Sequence, residues 1–190
     1  MSAWKDFVTD VAGLLAHTET HTHGGVRTDV EQAFAHWVDW TMLTRTACGT
    51  AYFAGNGASA SMACHFSADL AKNARVRTQV FTDPSLMTAL GNDVSYDAVF
   101  SEPLAWFGRE GDLLITVSSS GNSPNVVKAL EVARAKGIRT VALSGMRADN
   151  ASRRLADLSF YVPAHTYGLA ETCHAAILHH WMDLMEAQSR

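Results

Sequence analysis

The sequence predicts an α/β fold of the flavodoxin-like, doubly wound type, with a five-stranded parallel sheet. Two observations predict it: short apolar runs alternate with helical patterns from Thr50 onward, and glycine-containing turns separate them. Such alternation is typical of βαβ units, whose right-handed crossovers place helices on both faces of a parallel sheet. The predicted strands are Thr50–Ala54, Val76–Phe81, Leu113–Val117, Ile138–Leu143 and Leu158–Val162.

Helical patterns fill the intervals between these strands. Gly91-Asn92-Asp93 is predicted to be a turn, and Gly137 is predicted to end the helix before it as a C-terminal cap. The predicted helices are one ending at Lys72, then Pro84–Leu90, Ala98–Phe107, Pro124–Ala135, Asn150–Ala156 and Tyr167–Gln188.

The N-terminal part of the chain lies outside this alternation. Apolar stripes at helical spacing predict one helix over residues 4–15 and a second over residues 30–43. The polar, Gly-ended segment His17–Gly25 between them is predicted to be a loop. We therefore expect a single domain over residues 1–190, with an N-terminal helical segment (1–45) that covers the sheet or contacts another copy, and an α/β core (46–190).

Composition excludes several functional classes. The 190 residues are 47% hydrophobic and 18% charged, which is ordinary for a globular protein. A formal net charge of −4 argues against direct nucleic-acid binding. The apolar runs are too short to span a membrane, and the N-terminus lacks a signal-peptide pattern, so we expect a cytoplasmic protein without a membrane partner.

The segment Ser118-Ser119-Ser120-Gly121-Asn122-Ser123 follows a predicted strand and precedes a helix that begins at Pro124. Ligands of such folds bind at the carboxyl ends of the strands. Hydroxyls donate to phosphate oxygens, and the first amides of a helix favour anions. Ser123 is also a natural N-cap, but a cap needs one hydroxyl and this loop supplies four. The loop therefore predicts a phosphate site.

A second polar turn, Gly55-Asn56-Gly57-Ala58-Ser59, follows the first predicted strand. It does not satisfy the dinucleotide fingerprint, because Ala60 replaces the third glycine and Val80-Phe81 end the next strand without an acidic residue. Two hydroxyl-bearing loops without a Walker lysine favour a sugar phosphate over a nucleotide.

Two groups of side chains could carry chemistry. His65 and Asp69 are four residues apart on one predicted helix and therefore share a face, where they could bind a metal, share acid/base work or simply stabilise the helix. The last predicted helix carries four more candidates, and Glu171 and His179 in it are about 12 Å apart along the axis, which is marginal for one ion. These four candidates are Glu171, His174, His179 and His180.

Four segments carry a family resemblance: GNGASASMACHFSADL (55–70), ALGNDVSYDAVFSEPL (89–104), GREGDLLITVSSSGNSPNVVKALEVARAKG (108–137) and ETCHAAILHH (171–180). The chain resembles the sugar isomerase (SIS) domain family, and within it the phosphoheptose isomerases that act on sedoheptulose 7-phosphate. The resemblance implies a homotetramer assembled through the N-terminal helices. It also implies a role in heptose biosynthesis, as an isomerase that interconverts a ketose and an aldose phosphate.

The resemblance further implies site residues. A zinc ion, one per subunit, is expected on His65, Asp69, Glu171 and His179, with Asp69 as base and His179 as the complementary acid/base. Asp69 stands where the family has Glu, Glu171 where it has Gln, and Met62 where it has Asp. Expected substrate contacts are Asn56, Gly57, Ala58, Asn92, Asp93, Ser118, Ser119, Ser120, Ser123 and Glu171.

Two alternatives stay open at this point. Some relatives of these isomerases are non-catalytic, binding the replication initiator DnaA or sensing sugar phosphates. A different ketose phosphate is the other alternative. The retained histidines at 65 and 179 favour catalysis, whereas the changed oxygen ligands favour the alternatives mildly.

Overall fold

The computed structural model describes residues 3–189, and their side chains through residue 188. These residues form eight α-helices and seven strands. The strands are β1 (Glu19–Thr22), β2 (Val26–Thr28), β3 (Thr50–Gly55), β4 (Arg77–Val80), β5 (Leu113–Ser118), β6 (Arg139–Gly145) and β7 (Leu158–Val162). The helices are α1 (Trp4–Ala16), α2 (Val30–Thr46), α3 (Ala58–Ala74), α4 (Pro84–Asp93), α5 (Ser101–Phe107), α6 (Pro124–Ala135), α7 (Ala151–Leu155) and α8 (Tyr167–Ser189).

The strand order of the sheet is β2-β1-β7-β6-β5-β3-β4. Strands β3 to β7 run parallel to one another, and their order is the 2-1-3-4-5 order of flavodoxin-like folds. Ser118 at the end of β5 pairs with Ser144 at the end of β6. The predicted five-stranded parallel sheet is confirmed, and its carboxyl edge carries the polar loops.

The predicted loop at His17–Gly25 is wrong, because this segment forms most of a β-hairpin. Strand β1 pairs antiparallel with both β2 and β7, and Gly24 and Gly25 turn the chain with φ of +80° and +76°. The alternating threonines suit a pleated surface, and Thr20 is buried. The hairpin covers the edge of β7, which would otherwise expose unpaired backbone groups. Polarity alone did not reveal this edge strand.

The two faces of the sheet carry separate apolar cores. One face packs against α2, α3 and α8, and the other packs against α4, α5, α6 and α7. Trp37 of α2 stacks on Trp181 of α8 at 4.3 Å between ring centroids, and both are fully buried. Helix α2 therefore covers the sheet, whereas α1 has no buried residue and leaves Trp4 and Val8 exposed.

Two helix ends test the turn predictions. Gly137 has φ of +68°, its N–H donates to Arg134 O, and the next N–H, of Ile138, donates to Ala133 O. This Schellman arrangement confirms the predicted cap. The predicted turn at residues 91–93 is wrong, because α4 continues to Asp93. A glycine inside a helix costs only about 1 kcal/mol, which the rest of α4 offsets.

Within residues 3–189, no helix combines the length and apolar character that a membrane crossing requires.

Candidate active site

A cavity of about 210 Å³ opens at the carboxyl edge of the sheet, between the ends of β3 and β5 and the start of α8. We call it the serine cavity. Six predicted site residues line it, so the structure brings most of the expected substrate contacts together. Its lining comprises Asn56, Ser59, Val117, Ser118, Ser119, Ser120, Ser123, Tyr167 and Glu171.

The serine loop is ordered by its own hydroxyls. Ser118 Oγ accepts from the Gly121 N–H at 3.2 Å and shares a hydrogen bond with Ser123 Oγ, also at 3.2 Å. Ser123 occupies the N-cap position of α6, but its hydroxyl makes no capping hydrogen bond, so the predicted side-chain cap is wrong. That hydroxyl instead faces Ser118 inside the cavity, where a ligand can reach it.

Gly121 is required by the neighbouring helix start rather than by a ligand. Its φ is +64°, and a Cβ atom here would meet the side chain of Asn150 at non-bonded distances as short as 2.2 Å. The loop is also tied to α7 by the Ser152 N–H, which donates to Gly121 O at 2.9 Å. The positive φ and the close approach together exclude a side chain at this position.

Asn56 is held from two sides. Its amide forms a reciprocal pair with the amide of Asn125, in which both N–H···O distances are 2.9 Å. Asn56 Oδ1 also accepts from the Tyr96 hydroxyl at 3.3 Å. The turn after β3 is thereby joined to the first turn of α6, and the two predicted ligand loops form one unit.

Four predicted contacts lie outside this cavity lining. Gly57 and Ala58 are exposed at the start of α3, where Gly57 has φ of +56°. Asn92 and Asp93 are exposed at the end of α4, and Asn92 Nδ2 donates to Asp93 Oδ1 at 2.7 Å. None of the four lines the serine cavity of this chain.

The predicted acid/base residues form a second group, on the outer surface of α3 and α8. His65 Nε2 and Asp69 Oδ2 are 3.3 Å apart, and their side chains are 54% and 29% exposed. The His179 ring lies 5.7 Å from the His65 ring between centroids and packs edge-on against Phe66 at 4.8 Å. We call His65, Asp69 and His179 the histidine–aspartate cluster. The helical spacing correctly placed His65 beside Asp69.

The expected zinc site is not assembled. The donor set of two imidazoles and two carboxylates suits zinc chemically. Yet among the described residues no three His, Cys, Asp or Glu side chains are placed to hold one metal ion. Glu171 lines the serine cavity, and the eight residues to His179 separate the two along α8 by about 12 Å. The four side chains therefore do not fit one ion as they stand.

The two remaining histidines of α8 differ in their surroundings. His180 is exposed and contacts Phe34 edge-on at 4.7 Å between centroids. His174 is fully buried, and neither ring nitrogen completes a hydrogen bond. Burial lowers the pKa of His174 to about 4, which the backbone of Ser144 offsets only in part. His174 is therefore a neutral imidazole behind the carboxyl edge of the sheet.

Three polar residues of this region are absent from the predicted contacts. Ser59 and Tyr167 line the cavity, and Asn125 holds Asn56 while being only 2% exposed. In the sequence, Ser59 could be recognised as the hydroxyl-bearing residue of the turn after β3. Tyr167 and Asn125 sit one and two residues into their helices, and no residue pattern distinguishes them from ordinary helix starts.

Charge in the serine cavity is unusual for a phosphate site. Its lining contains no lysine or arginine, and it includes the Glu171 carboxylate. A phosphate here must be bound by neutral donors, chiefly hydroxyls and amides. Glu171 would oppose a dianion directly beside it, so the carboxylate is better placed to accept from sugar hydroxyls at the other end of the ligand.

Comparison with known proteins identifies the family to which this chain belongs. The SIS domain family model matches residues 22–145. The phosphoheptose isomerase of Geobacter sp. strain M21 is 36% identical over 185 residues, covering 93% of this chain and 94% of the relative. That of Chlorobaculum parvum is 43% identical over 152 residues, covering 73% and 70%.

Solved structures agree in fold. Phosphoheptose isomerase GmhA from Neisseria gonorrhoeae superposes with a TM-score of 0.82 at 25% identity, over 96% of this chain and 94% of that one. A phosphoheptose isomerase from Francisella tularensis gives a TM-score of 0.81 at 21% identity, over 97% and 94%. With its serine cavity at the carboxyl edge of a flavodoxin-like sheet, this chain belongs to the SIS domain family, in its phosphoheptose isomerase branch.

Proposed function

We propose that this protein is an aldose–ketose isomerase that converts sedoheptulose 7-phosphate to D-glycero-D-manno-heptose 7-phosphate. The observation that carries the proposal is the serine cavity, with four serine hydroxyls of one loop, in a chain 36% identical to a phosphoheptose isomerase along nearly its whole length. The product is a precursor for heptose biosynthesis.

The reaction moves a proton between C1 and C2 through a cis-enediolate, so it needs a base and an acid. Asp69 is the proposed base, and His65, 3.3 Å away, orients its carboxylate. His179 is the proposed acid/base partner, and its edge-on packing against Phe66 holds the ring in place. Serine hydroxyls and Asn56 would bind the phosphate end, which leaves the carbonyl end towards α8.

Zinc is a separate part of the proposal. His65, Asp69, Glu171 and His179 offer suitable donor atoms, although they do not form a three-ligand group as placed. When bound, zinc would polarise the substrate carbonyl. Elemental analysis of the purified protein, compared with the His65→Ala variant, tests this part alone. Equal zinc in both would remove His65 from the ligand set.

We also propose a cytoplasmic homotetramer. Exposed apolar side chains on the N-terminal helices support assembly, since Trp4 is 76% and Leu43 is 52% exposed. Burying such side chains between copies stabilises an oligomer. Light scattering after gel filtration is expected to give four times the chain mass of 20.6 kDa. A Trp4→Glu variant should lower that mass.

A non-catalytic sugar-phosphate-binding protein, of the DnaA-associating or sensor type, is the second candidate. The specific observation favouring it is that the histidine–aspartate cluster is open and no three-ligand metal group is present among the described residues. In this case ligand binding in the serine cavity would occur without turnover.

One experiment separates the two candidates. Metal-loaded protein is incubated with sedoheptulose 7-phosphate, and the aldoheptose phosphate is followed by NMR. Isomerase activity predicts new anomeric signals that grow with time and enzyme concentration. Saturable binding by calorimetry without any turnover would select the non-catalytic candidate instead.

A further inference from the structure

We propose that Asn125 is a positioning residue that fixes the amide of Asn56, so that Asn56 offers the ligand an N–H donor and no acceptor. The proposal deepens the proposed function and rests on it. Asn125 is 2% exposed and does not line the serine cavity, whereas Asn56 does. It therefore acts on the ligand through Asn56.

The orientation of the Asn125 amide follows from a backbone group. The Val126 N–H can only donate, and it lies 3.0 Å from Asn125 Oδ1. That contact identifies the oxygen of the Asn125 amide, so its other end, Nδ2, is the donor. The two ends of a buried amide are otherwise hard to distinguish, and here a fixed main-chain donor assigns them.

The Asn125 amide then fixes Asn56. Asn125 Nδ2 donates to Asn56 Oδ1 at 2.9 Å, and Asn125 Oδ1 accepts from Asn56 Nδ2 at 2.9 Å. Rotating the Asn56 amide by 180° would set oxygen against oxygen and nitrogen against nitrogen, which would lose both hydrogen bonds. The direction of the Asn56 amide is therefore locked.

The lock leaves one free group for a ligand. Asn56 Oδ1 accepts from Asn125 Nδ2 and from the Tyr96 hydroxyl, so both of its lone pairs are occupied. Of the two Nδ2 hydrogens, one is bound to Asn125 Oδ1 and one remains. The ligand atom beside Asn56 must then be an acceptor, such as a phosphate or a sugar oxygen. An unlocked amide would spend part of its time presenting its oxygen to that same atom.

The test is a double-mutant cycle on kcat/KM for sedoheptulose 7-phosphate, with Asn125→Leu and Asn56→Ala. Loss of one oriented hydrogen bond predicts about a tenfold fall for each single variant. Because Asn125 acts through Asn56, adding Asn125→Leu to Asn56→Ala should change kcat/KM by less than about twofold. Multiplicative effects of the two substitutions would overturn the proposal.

A second variant separates positioning from folding. Asn125→Asp keeps an oxygen for the Val126 N–H but cannot donate to Asn56 Oδ1. A carboxylate at this buried position should lower the thermal unfolding midpoint, but we expect the variant to stay folded at the assay temperature while losing about tenfold in kcat/KM. Full activity in Asn125→Asp would overturn the proposal, because the hydrogen bond from the Val126 N–H to the side chain at position 125 would then be enough for activity without the donation to Asn56. The Asn56→Ala background separates the added charge from the loss of the Asn56 contact, because there Asn125→Asp should change kcat/KM by less than about twofold.

Failure of the proposed function gives a different result from failure of this inference. If the native protein binds sedoheptulose 7-phosphate without turnover, isomerase activity is excluded, and the same cycle is measured on Kd by calorimetry. A non-additive Kd cycle then supports the locked amide, and an additive one overturns it. No binding by the native protein overturns both.

Discussion

The serine cavity and the histidine–aspartate cluster differ in how completely one chain builds them. In the cavity, Ser118 and Ser119 are only 4% and 5% exposed, and the serine loop is held by internal hydrogen bonds. In the cluster, the His65 side chain is 54% exposed, and a single contact joins it to Asp69. The proposed binding region is therefore preorganised in the isolated chain, whereas the proposed acid/base cluster is not.

The difference has a physical origin. Four of the hydroxyls that line the cavity come from one loop, whose geometry is fixed by the positive φ of Gly121 and by contacts with α7. The cluster requires side chains from two helices to meet on a solvent-facing surface. Exposed polar side chains lose rotamer freedom when they are ordered, so such a cluster needs a ligand, a metal ion or another surface to hold it.

The largest expected effect comes from a substitution of His179, which should change turnover but not ligand binding and so distinguishes the histidine–aspartate cluster from the serine cavity. His179→Gln should lower kcat at least about 100-fold, since general acid–base groups contribute on that scale, while the Kd for sedoheptulose 7-phosphate changes little. NMR turnover and calorimetry measure the two quantities. A parallel loss of affinity would show that the cluster also binds the ligand, and the division between the two regions would then be wrong.

Gly121→Ala should damage the cavity and spare the cluster. The new Cβ would overlap the Asn150 side chain at a φ of +64°, so we expect a loss of about 2–4 kcal/mol in the free energy of unfolding, with weaker ligand binding. Urea unfolding measures the loss. Gly24→Ala is the control, because its φ is +80° with no atom within 4 Å of the added Cβ, and about 1 kcal/mol is expected. Equal losses of stability in the two variants would show that the positive φ alone, and not the overlap with Asn150, causes the destabilisation.

The buried His174, behind the carboxyl edge of the sheet, predicts how the free energy of unfolding depends on pH. Its folded-state pKa of about 4 lies below the ordinary 6.5, so the unfolded state takes up a proton first as pH falls. Stability is therefore complete above pH 6.5 and declines towards pH 4, by about 3 kcal/mol in total from this residue.

His174→Met should remove that part of the pH dependence and leave stability at pH 7 equal or higher, because two buried nitrogens without partners disappear. Urea unfolding of both proteins at pH 7 and pH 4.5 gives the difference. A marked loss of stability at pH 7 would mean that the native imidazole is hydrogen-bonded in solution.

The smallest expected effect concerns Glu171, the one carboxylate among the described residues that line the serine cavity. Glu171→Gln removes a negative charge from the cavity wall, so the Kd for sedoheptulose 7-phosphate should fall about threefold. Calorimetry at constant ionic strength measures the change in Kd, with Glu131→Gln, exposed on α6 and outside the cavity lining, as the control for net charge. Weaker binding in Glu171→Gln would show that the charge-assisted hydrogen bond from a sugar hydroxyl to the carboxylate outweighs its repulsion of the phosphate.

Much of the architecture was readable from the sequence. Apolar runs and their Gly-containing turns predicted all five parallel strands, and β7 has the predicted bounds of Leu158–Val162. Strands β3, β5, β6 and β7 are buried on both faces, so the hydrophobic pattern specifies them, whereas the edge strand β4 is only partly buried. The serine loop and the Schellman glycine at 137 were predictable for the same reason, since each depends on residues adjacent in the chain.

Features that depend on distant partners were not readable. The hairpin at Glu19–Thr28 is polar and becomes a strand pair only because β7 offers an edge, and Asn125 gains its place only because Asn56 faces it. The sequence by itself determined the sheet, its helices and the loop that forms the serine cavity, through local pattern and burial. Only the tertiary structure decided that Glu171 lies beside the serine loop while His179 lies beside His65, because each placement depends on how α8 packs against segments distant in the chain.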